Sequence, residues 1–467
     1  KYKEAKLEGI TGGLNMTHGD YNNDGYADVF ITRGAWLGTG LFPNSLLRNN
    51  GDGSFTDVTV ESGIYSLHPS QTSVWADFNN DGWIDIFVGN ESYQIGNHPC
   101  ELWLNDGSGK FTNIAGTVSA NITSFIKGVC ATDYDNDGDQ DVFLSNMSGN
   151  NFLLRNDESD NIYGFKFTNI AKEAGVENPQ ASFPCWFFDI DNDGWEDLYV
   201  SGFPFGAYGQ FAAEYAKEMM GLENNIEKPK VYINNRQGGF EDRTIQYNLN
   251  TTCYTMGSSF GDINNDGYLD FYLGTGEPDF KALVPNRMFL NVNGESFEEV
   301  TAQGGFGHVQ KGHAISFADI NNDGHEDIYA VMGGAYEGDD AFNALFLNPG
   351  NENKWINLEL EGIKSNRMAF GAKVEMTLTR SDADRKIHRR ISSGSSFGEN
   401  PNLLHIGFLK EEEIKSISIT WPSGQRQELH NFEALKKYKI IEGGQAIPVD
   451  SFKKIDLKLN KKHIHNH

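Results

Sequence analysis

Short runs of alternating apolar and polar residues recur through the first 350 positions, and they come in sets of four. The first run of a set ends in Asp, as in TSVWAD, SFPCWFFD and HAISFAD. The second opens on Asp: DVFIT, DIFVG, DVFLS, DLYVS, DFYLG and DIYAV. A third follows as SLLRN, ELWLN, NFLLRN, KVYIN, RMFLN and ALFLN, and after a Gly/Asn turn a fourth reads SFTDVT, KFTNIA, KFTNIA, GFEDRT and SFEEVT. Alternation at period two predicts half-buried strands. Four strands per unit, repeated about every 56 residues, predict one propeller blade per unit, each burying its apolar faces against its neighbours. The expected fold is all-β, a β-propeller of six repeats over residues 1–350. The sixth unit shows only three strands, and the opening EAKLEGI aligns with the end of a fourth strand, TDVTVESGI. An N-terminal strand is therefore expected to complete the last blade. That gives six blades; seven remain open if the C-terminal region donates another.

Residues 351–447 read as a separate small β domain, with alternation in WINLELEG, AKVEMTLTR and SISITWPSG and a turn at Pro422-Ser423-Gly424. Trp355 and Trp421 are expected in its core. Arg367 and the SSGSS run offer an anion site, against the simpler reading of a glycine-rich hairpin. Residues 448–467 form a tail whose KKHIHNH end has metal-binding side chains and is expected to fray.

Between the first and second run of every unit lies a nine-residue stretch of the type DYDNDGDQD. The six copies begin at Asp20, Asp77, Asp133, Asp189, Asp262 and Asp319, at intervals of 57, 56, 56, 73 and 57 residues. Positions 1, 3, 5 and 9 carry oxygen-bearing side chains, and position 6 is Gly. A hard cation such as Ca²⁺ takes six to eight oxygens, and a glycine bend turns the position-7 carbonyl onto it. The ligand sets are Asp20, Asn22, Asp24, Asp28 with the carbonyl of Tyr26; Asp77, Asn79, Asp81, Asp85 with Trp83; and Asp133, Asp135, Asp137, Asp141 with Asp139. The remaining three are Asp189, Asp191, Asp193, Asp197 with Trp195; Asp262, Asn264, Asp266, Asp270 with Tyr268; and Asp319, Asn321, Asp323, Asp327 with His325. An Asx-rich turn needs one or two such residues, not three or four converging carboxylates. About six structural Ca²⁺ ions are expected.

These loops account for much of the formal charge of −27, since 20 of the 65 acidic residues occupy their ligand positions. The acidity left over argues against nucleic acid as a partner. No apolar run approaches membrane-spanning length, and the opening KYKEAK reads as a processed chain. Cys100, Cys130, Cys185 and Cys253 form no CxxC pair and read as small buried hydrophobes. Calcium loops suit an extracellular or outer-surface setting, where calcium is abundant.

Because each loop joins the first two strands of a blade, the exits from the second strands gather at the opposite end of the propeller. Those exits are long and aromatic, and the fourth carries a helix-like AAEYAKEMMGL that explains the 73-residue interval. Loops longer than a hairpin requires often carry function. Trp36, Tyr93, Phe205, Tyr208, Phe280 and Tyr336 are the candidate ligand-binding residues, set against an inward-folded cap on the channel.

The DxDxDGxxD loops with their flanking strands resemble the FG-GAP/VCBS repeats of integrin-type propellers. NKWINLELEG, SNRMAFGAKV, SSGSSFG, LHIGF and ITWPSGQRQEL resemble the ASPIC/UnbV domain. The pairing resembles the cartilage acidic protein family and its bacterial relatives. That resemblance implies an exported or surface-anchored protein, in some cases near TonB-dependent outer-membrane uptake systems, and implies no catalytic set. The leading expectation is a calcium-stabilised binding or scaffold protein for a glycan, peptide or protein. One alternative is an enzyme at the channel mouth using Glu91, Glu277, Asp279, Glu337, Asp339, Asp340, His308 or His313. Another is a structural subunit of an uptake complex or a self-assembling filament.

Overall fold

The computed structural model describes residues 2–36, 42–93, 96–204, 210–276, 284–333, 338–339, 341–380, 383–393, 397–449 and 453–457. It is all-β, with repeated antiparallel meanders arranged as the blades of a propeller. Blade I comprises Asn15–Gly19, Asp28–Thr32, Ser45–Asn49 and Phe55–Asp57. Blades II to V repeat that order from inner strands Ser70–Ala76, Ile126–Thr132, Ser182–Phe188 and Thr255–Gly261. Blade VI has three strands, Gly312–Ala318, Asp327–Met332 and Ala344–Phe346.

Register is the same in every blade. The residue before the acidic loop pairs with the loop's ninth residue: Gly19 with Asp28, Ala76 with Asp85, Thr132 with Asp141, Phe188 with Asp197, Gly261 with Asp270 and Ala318 with Asp327. Each loop is thus the connection of an inner hairpin. Apolar cores fill the interfaces from I–II to V–VI, the first of them continuous with the core of the C-terminal domain, because each blade buries both faces of its pleat.

The expected N-terminal fourth strand for blade VI does not form. Residues 2–6 are a turn lying on blade I, where the carbonyl of Ala5 accepts from the Phe55 amide at 3.0 Å. The described residues of the C-terminal region do not supply a blade either. Residues from Lys354 to Pro448 form two four-stranded sheets, one of them holding a parallel pair between Lys354–Glu361 and Lys436–Ile441. Trp355 and Trp421 are buried, as the alternation predicts. Glu442 clamps the turn before the second sheet, accepting from the amides of Ile363, Lys364 and Ser365. Against a burial that would raise it, the Ser423 hydroxyl and these amides hold the Glu442 carboxyl down at about 2.

The C-terminal domain sits on the acidic-loop end of the propeller. The Arg367 amide donates to Asn23 Oδ1, Lys373 Nζ lies 2.6 Å from Asp133 Oδ2, and Arg390 donates to the Asp133 carbonyl. Arg389 reaches Asn192 and the Gly267 carbonyl, Arg385 reaches the Asp266 carbonyl, and His405 Nε2 meets Asn265 Oδ1 at 2.7 Å. From the same domain a segment enters the channel. Ser393 accepts from the Trp75 amide, Phe397 pairs with Ser258, Glu399 holds His18, and Asn400 bonds Ser259, Phe260 and Phe317. These partners lie on the inner strands of blades I, II, V and VI, so the segment runs along the propeller axis. The SSGSS run opens this plug; its residues 394–396 lie outside the described residues.

Candidate metal centres and binding face

The six loops share one geometry, which follows from their residue types. Asn at position 4 takes φ between 53° and 60°, and Gly at position 6 takes φ between 86° and 106°. This is the left-handed region that Asn tolerates and Gly enters freely. In all six, the position-5 carboxylate accepts from the position-7 amide: Tyr26 to Asp24, Trp83 to Asp81, Asp139 to Asp137, Trp195 to Asp193, Tyr268 to Asp266 and His325 to Asp323. The position-9 Asp bolts two segments together. Asp270, for example, accepts from the Ile263 amide at 3.0 Å and from the Asn291 amide at 2.8 Å.

Asn291 and its counterparts then tie blade to blade. The side-chain amides of Asn105, Asn156, Asn234, Asn291 and Asn348 donate to the carbonyls of Tyr21, Phe78, Tyr134, Ile190 and Ile263 in the preceding blade. The position-4 Asn residues work the other way. Asn23, Asn80, Asn136, Asn192 and Asn265 donate to the carbonyls of Gly82, Gly138, Gly194, Gly267 and Gly324 in the next blade.

The residues left over fit a hard cation. Position-3 Oδ1 atoms of Asn79, Asp135, Asp191 and Asn321 are buried with no hydrogen-bond partner, as is Oδ1 of Asp133. A buried acceptor without a donor is costly, and a cation supplies what is missing. Asp133, Asp135 and Asp141 bring carboxylate oxygens within 4.8 Å of one another, as do Asp189, Asp191 and Asp197. Burial, with neighbouring carboxylates adding to it, pushes Asp20 up to about 6, Asp77 up to about 7 and Asp28 up to about 8. Asp85, Asp141, Asp189, Asp197 and Asp270 are pushed well above the usual range for the same reasons. A divalent ion offsets both penalties.

Loop three departs from the rest. Elsewhere the position-1 Asp accepts from the position-6 Gly amide, as Asp77 does from Gly82 at 2.8 Å. Asp133 instead faces Lys373. The position-1 carboxylate of loop three pairs more closely with the C-terminal domain than that of loop one does, 2.6 Å to Lys373 against 3.9 Å between Asp20 and Arg367.

At the opposite end the structure gathers some of the candidate residues. Trp36 is half-buried, stacked on Phe183 and lying under Lys127, whose Nζ is 3.1 Å from the Trp36 ring centroid. Tyr93 stacks on Phe125 at 4.5 Å and keeps an exposed edge. Phe205, Tyr208, Phe280 and Tyr336 lie outside the described residues, as do Glu277, Asp279, Glu337 and Asp340. Glu91 pairs with Lys127 and accepts from the Trp36 amide; Asp339 pairs with Lys311 at 2.6 Å. His313 is largely buried, bonded to the Gly333 carbonyl, and burial lowers its pKa. His308 caps the Gln310 amide.

Lys127 is the residue that the sequence reading missed. It is fully buried, boxed by Trp36, Phe125 and Phe183, and burial lowers its ammonium to about 7 against the opposing pull of Glu91. The available signal was a lone charge in the otherwise apolar inner strand SFIKGVC. Lys127→Met is expected to cost about 3–5 kcal/mol, because it leaves Glu91 buried without its cation. Lys127→Met with Glu91→Leu should recover most of that loss. Urea unfolding of the two variants checks this; equal losses would break the argument.

The fourth exit holds the helix Phe211–Met219. Glu218 anchors it, accepting from Lys228 at 2.8 Å and from the Thr252 amide at 2.6 Å, and these partners hold its carboxyl down at about 2 despite burial. Beyond that anchor Met219, Met220 and Leu222 are exposed, and Phe342 on the sixth exit is 93% exposed.

Comparison with known proteins agrees with this architecture. A family model described as FG-GAP-like repeat matches residues 20–88, 77–144, 133–200 and 218–273, and one described as ASPIC and UnbV matches 362–447. The chain is 34% identical to Cartilage acidic protein 1 of Xenopus tropicalis over 147 residues, which is 31% of this chain and 21% of that protein. The human protein of that name is 31% identical over 149 residues, again 31% and 21%. The mouse protein is 23% identical over 434 residues, 88% of this chain and 62% of that one. The chain thus spans a fifth to three fifths of the length of these curated relatives.

Proposed function

This chain belongs to the FG-GAP-repeat family and carries an ASPIC/UnbV domain; from that premise we propose that it is an extracellular, calcium-stabilised scaffold that binds a partner protein at its loop-rich end. Six loops with oxygen ligand sets, four of them with orphaned buried acceptors, support about six Ca²⁺ ions in a structural role. Millimolar-range calcium supports an extracellular or outer-surface setting. No described helix is long and apolar enough to cross a membrane.

The observation that carries the binding reading is a division of the two ends. The acidic-loop end is covered by the C-terminal domain. The loop-rich end leaves Tyr93, Met219, Met220, Leu222 and Phe342 exposed on strand exits that no hairpin requires. Flexible Met and Leu on one exit and Phe on another suit an apolar protein or peptide surface better than the flat face of a sugar, which favours Trp and Tyr platforms. In this reading an uptake complex or a filament is one form such a partner takes.

The test pairs Met220→Glu with Phe342→Asp. The double variant is expected to keep its melting temperature and lose the surface proteins that cross-link to the parent chain in its native setting. Unchanged cross-links would overturn the protein-partner reading. Retention of the parent chain on a glycan array, lost in the variant, would move the ligand to a sugar.

A further inference from the structure

The inner strands of neighbouring blades meet side chain to side chain at a repeating register. At the first three interfaces the residue three places before one acidic loop stands opposite the residue four places before the next. Between blades I and II that pair is Thr17 and Ser73, whose hydroxyl oxygens lie 2.9 Å apart in a hydrogen bond. Between II and III it is Val74 and Val129, which share one apolar core. Between III and IV it is Cys130 and Cys185. Their Sγ atoms are 3.6 Å apart, and the two residues are 2% and 0% exposed.

The chain around the pair is built for close approach. On one side, Gly128 of blade III lies against Phe183 of blade IV. A Cβ at Gly128 would stand 2.5 Å from the Phe183 carbonyl oxygen and 2.8 Å from Cys185 Sγ, so a glycine is what lets the two strands come this near. The Ser145 hydroxyl, also of blade III, donates to the same carbonyl. On the other side, Phe143 of blade III meets Phe187 of blade IV edge-on, with ring centroids 6.4 Å apart. Cys100 and Cys253 belong to other cores, between blades II and III and between IV and V, so no further cysteine competes within this one.

We propose that Cys130 and Cys185 are a disulfide site, and that the bond joins blades III and IV covalently once the chain meets a disulfide donor. Both are thiols in this structure. Rotation about the two Cα–Cβ bonds takes the sulfurs from 3.6 Å toward the roughly 2.05 Å of a disulfide. The bond links residues 55 apart, the length of one repeat, and so ties two successive units and closes a loop of one blade in the unfolded chain. The donor is a low-molecular-weight disulfide or an oxidised thiol–disulfide oxidoreductase. One cysteine thiolate attacks the donor's S–S bond and forms a mixed disulfide; the other then displaces the donor sulfur. The Cys130–Cys185 bond forms, the donor's bond breaks, and two electrons and the two thiol protons end on the donor's thiols. Packing of the blades buries both sulfurs, so exchange precedes closure of that interface. Only the presence of such a donor rests on the extracellular reading, and export from an expression host supplies it in the test.

The 467-residue chain is produced by secretion through an oxidising compartment and, in parallel, in a reducing cytoplasm. Material with a cooperative melt is denatured without reductant in excess N-ethylmaleimide, digested and mapped by mass spectrometry. The secreted chain should be labelled at Cys100 and Cys253 only and should yield a Cys130–Cys185 linked peptide that reductant splits. The cytoplasmic chain should be labelled at all four cysteines. A secreted Cys130→Ser chain should gain label at Cys185; the parent chain decides the question by itself if that variant does not fold. A folded secreted parent labelled at all four cysteines would overturn the proposal, and so would donor adducts on Cys130 or Cys185 without the linked peptide. Because the host imposes export, a linked peptide here together with four thiols in the chain from its native setting would support the bond and count against the extracellular reading alone.

Discussion

Chelation with EGTA is expected to lower the unfolding midpoint of this protein by more than about 20 °C, and calcium titration to return about six ions per chain. The size follows from linkage. At free calcium a hundredfold above the dissociation constant, each site contributes about 2.7 kcal/mol, so six contribute about 16 kcal/mol. A large fold loses about 2–4 °C of midpoint per kcal/mol, so the shift is large even if sites differ in affinity. The loops also have no cheap alternative to the ion. Their position-1 and position-9 carboxylates are mutually repelling and mostly buried, and in four loops the position-3 acceptor lacks a donor. Without calcium the same side chains oppose the fold they hold.

A single lesion separates this from a general effect of chelator. Asp270→Ala removes one ligand and also releases the Ile263 and Asn291 amides. It should remove one ion of the six and destabilise the V–VI and IV–V interfaces, since Asn291 ties to Ile190. An unchanged melt in EGTA, or stoichiometry near zero, would reduce the loops to Asx turns and leave the acidity without a role.

The blades were legible because each is written locally. Hydrophobic alternation sets the strands, Asp-Gly chemistry sets the hairpin, and the 56-residue period multiplies both. Trp355 and Trp421 fell in the core for the same reason. What the sequence hid is long-range. The C-terminal domain docks through loop carbonyls and Asn side chains that every repeat shares, so no single residue announces it. Lys127 needed the aromatic walls of three blades before its burial made sense. The opening EAKLEGI reads like the end of a fourth strand, yet its turn lies on blade I and does not complete blade VI. Sequence alignment gives the type of segment; only the Phe55–Ala5 hydrogen bond places it on blade I.

Phe397→Ala is expected to cost about 3–5 kcal/mol, the usual range for emptying a buried phenylalanine site. Phe397 is buried among Phe125, Phe183, Phe203 and Tyr254, with its ring edge-on to Phe183 at 5.5 Å. Its carbonyl accepts from the Ser258 amide, so the side chain and backbone seat the plug together. Gly398→Ala should be at least as damaging for a different reason. Gly398 has φ 113°, and a Cβ there would stand 1.8 Å from the Ile315 carbonyl oxygen. That contact sets a Cβ, fixed by the backbone, against a backbone oxygen, which no rotamer can relieve. The two variants therefore test one structure by removing contact and by adding a clash. Both should expose residues 397–403 to protease and split the melt into separate propeller and C-terminal transitions. Calcium stoichiometry should survive, because no loop ligand is touched. If both variants melt as one unit at the parent temperature, the segment does not lock the domains. The polar contacts of Arg367, Lys373, Arg389 and His405 with the loops would then be sufficient to hold them.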